Sequence, residues 1–131
     1  PILNNHIKWI GNRELLVKLI NSLKQEYFIE AQETEDIADL ILNRTTDKQQ
    51  VNWLKKKSLL AYLIESLNEV LISPDNIWAD TAPYFLWKGE TVTREQLSSS
   101  ADQYKNNKNM KPLNHEVIDK IIERIKNIDH H

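Results

Sequence analysis

The chain has 131 residues, 40% of them hydrophobic and 27% charged, which suits a globular domain with enough Leu, Ile and Trp for a sizeable core. Cysteine is absent, so disulfides, thiolate metal sites and thiol nucleophiles are excluded together, and a reducing, cytoplasmic setting is expected. The formal net charge of −2 excludes a globally cationic surface, so any nucleic-acid footprint must be local.

Residues 7–11 read as a short strand or extended arm that enters a helix through Gly11. Asn12 is the expected N-cap, because its side-chain oxygen can accept from an orphan backbone N–H. Leu16, Leu19, Ile20, Leu23 and Tyr27 then recur at helical spacing, predicting a helix of about four turns packed on one side. Thr34 is expected to cap a shorter helix, with Glu35 and Asp36 in its first turn and Ile37, Leu40 and Ile41 on its buried face. Asn43–Thr45 is the expected break.

Thr46 and Gln49 fit a capping box. After them Trp53, Leu54, Leu60, Leu63, Ile64, Leu67, Val70 and Leu71 form one apolar stripe, with no Gly or Pro between 46 and 72. That predicts one helix of about seven turns, or two helices broken near Ser58. Ser73–Asn76 ends it, since Pro74 disfavours helix at the residue before it.

Tyr84–Trp87 is a compact aromatic run, followed by a Lys88-Gly89-Glu90 turn and Thr91-Val92. This predicts a small hairpin, with an irregular apolar plug as the alternative. Thr93 and Gln96 open a further helix to about Tyr104. Residues 105–112 are polar and expected to be a mobile loop. Asn114 is expected to cap a last helix with Val117, Ile118, Ile121, Ile122 and Ile125 as its buried stripe. The predicted fold is mainly α, a compact bundle of about five helices with one or two short β segments. Residues 1–73 form an N-terminal helical unit, and residues 74–131, with the hairpin and two helices, pack on it as one domain.

No apolar run approaches bilayer-spanning length, and Pro1–Asn5 has neither the basic nor the apolar part of a signal peptide, so no membrane association is expected. Two glycines in the whole chain argue against phosphate-cradling loops. His6 and His115 are isolated, so no metal is expected, and no cofactor or small-molecule substrate is evident. Asp80, Glu90 and Glu95 lie near the aromatic segment, but nothing fixes their separation; they read as solvated loop acids, no catalytic residue is assigned, and no enzymatic activity is expected.

Nucleic-acid binding carries more weight. Residues 43–72 hold five basic and three acidic side chains, and the basic ones are Arg44, Lys48, Lys55, Lys56 and Lys57. Helices over 34–42 and from 46 onward, joined by a short link, are compatible with a helix-turn-helix pair that would present these residues to DNA. The commoner arrangement is an ordinary helical hairpin with a lysine-rich exposed face. Lys105, Lys108 and Lys111 form a second basic cluster, read as a solvated loop. Among the four tryptophans, Trp9 and Trp53 fall on apolar stripes and are expected in the core. Trp78, Tyr84, Phe85 and Trp87 are the alternative function's residues: with the last helix they would form a docking surface for a protein partner or a second copy of the chain.

The stretch Ile7-Lys8-Trp9-Ile10-Gly11-Asn12-Arg13, followed by Leu15, Leu16, Leu19, Ile20 and Leu23, resembles the RteC family, regulators of conjugative transposon excision. Asp36-Ile37-Ala38 and Lys55-Lys56-Lys57 occupy places comparable to that family's acidic segment and basic helical region. The likeness covers about residues 7–72; the family's aromatic-rich piece between its second and third helices is missing or altered here. The resemblance implies a cytoplasmic DNA-binding transcription regulator of a mobile element.

Overall fold

The computed structural model describes residues 8–30, 33–43, 50–68 and 70–129. Their elements in order are α1 (Arg13–Gln25), α2 (Thr34–Asn43), β1 (Val51–Trp53), α3 (Lys57–Leu67), α4 (Ile77–Thr81), a 3-10 turn (Ala82–Tyr84), β2 (Phe85–Trp87), β3 (Glu90–Thr91), α5 (Arg94–Lys105) and α6 (His115–Asp129). The fold is mainly α with a few short strands, as expected. His6, Ile7, Arg44, Lys48 and the Thr46–Gln49 capping box lie outside the described residues. No described helix is long and apolar enough to cross a membrane.

The N-terminal expectations hold for the cap and the buried face of α1, but Tyr27, expected on the same stripe, lies beyond the helix and is 74% exposed. Asn12 caps α1, its Oδ1 accepting from Leu15 N at 2.9 Å, and Leu15, Leu16, Leu19, Ile20 and Leu23 are buried. The segment before it has Lys8 left-handed at φ 56 and bridges antiparallel to Ile72 through Trp9, with Ile10 N donating to Leu71 O at 2.8 Å. Gly11 sits at close quarters: a Cβ there would lie 3.2 Å from side-chain atoms of Leu15 and Leu71 and from the Trp9 indole nitrogen, which would have to give by a few tenths of an ångström. At its far end α1 closes with Tyr27 N on Lys24 O and Phe28 N on Leu23 O, a Schellman pattern with Tyr27 at φ 60 in the left-handed position. Thr34 is the first residue of α2 rather than its cap. Its hydroxyl donates to Asn21 Oδ1 at 2.7 Å and accepts from Lys24 Nζ, so it ties α2 to α1.

Neither the single helix expected after residue 46 nor the pair of helices broken near Ser58 is found among the described residues, although a helix does begin close to Ser58. Val51-Asn52-Trp53 is a strand, and α3 starts only at Lys57 and ends at Leu67. Trp53 therefore belongs to an extended ladder, while Leu60, Leu63 and Leu67 keep their places on a helix face. Two partners account for the strand. β1 pairs parallel with β2 in the register Val51↔Phe85, Asn52↔Leu86, Trp53↔Trp87, and on its other edge it exchanges Leu54 N→Phe28 O (2.8 Å) and Glu30 N→Asn52 O (3.1 Å). Buried Val51 and Trp53 flank half-buried Asn52, the alternation of a strand. Val70, assigned to the helical stripe, is exposed. The helix-turn-helix arrangement fails for the same reason, because β1 lies between α2 and α3.

The hairpin forms as expected: β2 and β3 pair antiparallel around Lys88 (φ 49) and Gly89 (φ 85), both left-handed as a two-residue type I′ turn requires. Thr93 and Gln96 make a full capping box on α5. Asn114 precedes α6 at φ 68, whereas an N-cap takes extended backbone. The 106–114 connection carries internal bonds, among them Asn107 Nδ2→Lys111 O at 3.0 Å and Lys111 N→Asn109 Oδ1 at 3.1 Å. α3 is the central helix: α5 and α6 pack on it, and α6 also packs on α1. Core side chains come from both halves of the chain, from Leu16 and Trp53 to Leu97 and Ile121.

Candidate nucleic-acid interface

The linker Leu54–Lys56 between β1 and α3 is held by two indoles. Trp53, fully buried and stacked obliquely on Phe28 with centroids 5.3 Å apart, donates from Nε1 to Lys56 O at 3.0 Å. Trp87, half-buried at the end of β2, donates from Nε1 to Lys55 O at 2.7 Å. The hairpin turn is fastened to the same place, with Lys88 N on Trp53 O at 2.9 Å and Gly89 N on Asn52 Oδ1 at 2.8 Å. The parallel register Trp53↔Trp87 explains this convergence, since it sets the two rings side by side on one face of the sheet.

Cations gather around Trp87. Lys57 Nζ lies 4.6 Å and Lys88 Nζ 5.0 Å from its ring centroid, both within cation–π range. Lys55 and Lys56 are exposed on the linker, and Lys57 is the first residue of α3. Among the described residues, none of Lys55, Lys56, Lys57 and Lys88 forms an ion pair. The three predicted lysines thus stand on a loop and a helix start rather than along a helix face. Lys88 was not foreseen; its only signal is adjacency to Trp87 in a turn.

The other expected sites are dispersed. Lys105 pairs with Glu65 at 3.0 Å and Lys111 approaches Asp119 at 3.8 Å, so the second basic cluster is largely matched by carboxylates. Tyr84 and Phe85, expected on a docking surface, are buried instead: Tyr84 closes the 3-10 turn inside the core, and Phe85 is paired beside buried Val51 in the parallel register of β2 with β1. Trp78 is half-buried and lines a shallow depression with Arg94, Glu95 and Ser98. The three acids are not brought together. Buried Asp80 accepts from Asn76 N at 2.9 Å, Glu95 pairs with Arg94 at 3.0 Å, and Glu90 is exposed on β3.

A polar cluster at the junction of α3, α5 and α6 was missed in the sequence. Tyr62 donates to Asp119 Oδ1 at 2.5 Å, Tyr104 donates to Glu65, and His115 Nδ1 lies 2.7 Å from Asp119 Oδ2. The Tyr62 ring is edge-on to both Tyr104 and His115. Burial, then the bond to Asp119, pushes the Tyr62 phenol well up, and burial with Glu65 does the same to Tyr104. Partial burial raises the Asp119 carboxyl, but the bonds from Tyr62 and His115 outweigh it and leave the group below its ordinary value. Both phenols therefore remain protonated donors that fasten α3 to α6 and α5. The only sequence signal was the His115–Asp119 spacing of one helical turn. No group of three or more His, Asp or Glu able to hold a metal is found among the described residues.

No protein-family model, curated protein or solved structure matches the chain.

Proposed function

We propose that this chain is a cytoplasmic, non-enzymatic regulatory protein that binds nucleic acid through Lys55, Lys56, Lys57 and Lys88 around Trp87. The observation that carries the reading is the gathering of four lysines, free of ion pairs among the described residues, on a backbone fastened by two indoles. A local concentration of cations is what phosphate binding needs, and a chain of net charge −2 makes that concentration the more telling. The resemblance of residues 7–72 to the RteC family supports the same reading and suggests a role in a mobile element. Docking of a protein partner draws less support, because two of its four residues, Tyr84 and Phe85, are buried.

The test is binding to a labelled oligonucleotide as a function of salt. Two to four phosphate contacts predict a log–log slope of about −1.4 to −3.6, at about 0.7–0.9 per contact. Replacing Lys55, Lys56 and Lys57 by Glu is expected to abolish binding while leaving the fold intact, since Lys55 and Lys56 are exposed and Lys57 only half-buried. Absence of binding at low salt, or affinity indifferent to salt, overturns the reading.

A further inference from the structure

We infer that the nucleic acid taken by this surface is single-stranded, with an unpaired base stacked on Trp87; this rests on the nucleic-acid reading above. A duplex reader next to these lysines would need a helix or a two-stranded ribbon free to enter the major groove, and the β2–β3 ribbon is only two residue pairs long with β2 already paired to β1 on its other edge. The neighbouring helix is α3, and none of its eleven residues is exposed: Leu59, Leu60, Ala61, Leu63, Ile64 and Leu67 are buried and the rest half-buried. It lies beneath α5 and α6 and cannot leave the core.

The surface has instead the two parts that single-strand binding uses, an aromatic face and cations around it. Trp87 is half-buried, and its indole N–H is occupied by Lys55 O, so the ring is fixed in orientation. Lys57 and Lys88 lie over that ring on flexible stems. An exposed cation–π contact is worth about two- to fivefold in an equilibrium, whereas one stacked base is worth roughly five- to a hundred-and-fiftyfold. A base therefore displaces a lysine from the ring, and the released ammonium is placed to meet the adjoining phosphate. Leu54, next to Lys55 in the linker, is 37% exposed and adds apolar surface there. Glu90, opposite Trp87 in the hairpin, and Glu30, bonded to Asn52, oppose the lysines, which still outnumber them four to two.

The experiment compares the full chain binding a labelled oligothymidylate of about 15 nucleotides with the same strand annealed to oligodeoxyadenylate, at low salt. The expected result is at least about fivefold tighter binding to the single strand, matching one stacked base. Trp87→Leu is expected to remove that preference, Trp87→Phe to keep most of it, and Glu90→Gln to tighten binding to both. Equal or tighter binding to the duplex overturns the inference and leaves the nucleic-acid reading standing. A single-strand preference that survives Trp87→Leu, or is lost equally in Trp87→Phe, overturns the stacking role. No binding to either probe overturns both.

Discussion

The indole of Trp87 and the carbonyl of Lys55 are joined by a 2.7 Å hydrogen bond across 32 residues, and through it the hairpin governs the linker that opens α3. Lys55 is exposed, so water can replace the indole if the bond is lost. Trp87→Phe is therefore expected to cost only about 1 kcal/mol, the net value of an ordinary hydrogen bond, and to speed amide hydrogen exchange over residues 54–57. Trp53→Phe is expected to cost more, about 2–3 kcal/mol, because its ring is fully buried and the smaller ring leaves a cavity. Urea unfolding and exchange rates check both; unchanged exchange in Trp87→Phe would show that the bond does not hold the linker.

Tyr27 closes α1 in the left-handed conformation at φ 60 while 74% exposed. An L side chain there strains the backbone by about 1–2 kcal/mol, and glycine avoids this at an unfolded-state entropy cost of about 0.5–1 kcal/mol. Tyr27→Gly should thus stabilise the protein by a few tenths to about 1 kcal/mol, read as a higher denaturation midpoint at unchanged slope. A lower midpoint would mean that the exposed ring contributes packing that outweighs the strain.

Stability should fall at both pH extremes, through the cluster at α3, α5 and α6. The phenols of Tyr62 and Tyr104 have folded pKa values above their unfolded value of about 10, so their contribution is complete below that pH and lost as pH rises through the folded values. Asp119 is depressed, so its contribution is present above about pH 4 and lost as pH falls through its folded value. Tyr104→Phe should flatten the alkaline limb alone. Tyr62→Phe should flatten both limbs, because it removes a raised phenol and also the donor that holds Asp119 down. Denaturation midpoints measured against pH test this, and an alkaline limb unchanged in both variants would overturn it.

Periodicity made the helices legible wherever one face is buried and the cap is local. α1 with Asn12, α5 with its Thr93–Gln96 box and the Ile118–Ile125 face of α6 all follow from residues within a turn of one another. The strand at Val51–Trp53 was illegible because its partners are Phe28–Glu30 and Phe85–Trp87, far away in sequence. A buried Trp53 suits either period when only three residues are extended, and tertiary pairing decided it. The same gap hid the site. Lys55–Lys57 were visible as a charge run, but their meeting with Trp87 and Lys88 depends on parallel pairing that no local signal announces.

Lys88 separates the stability of the hairpin from the charge of the surface. It occupies the first position of a type I′ turn at φ 49, with Gly89 second at φ 85. Asn is the favoured residue at that first position, because its short polar side chain tolerates the left-handed conformation. Lys88→Asn is thus expected to keep the fold at least as stable, by up to about 1 kcal/mol from relief of the strained lysine. The same change removes one of the two ammonium groups over Trp87. If the surface binds phosphate, the salt slope should become shallower by about 0.7–0.9 and low-salt affinity should drop, although the protein is no less stable. Calorimetry and salt titration of the one variant give both numbers. A stabilised variant that binds as tightly as the parent would remove Lys88 from the interface, and a destabilised one would contradict the turn geometry.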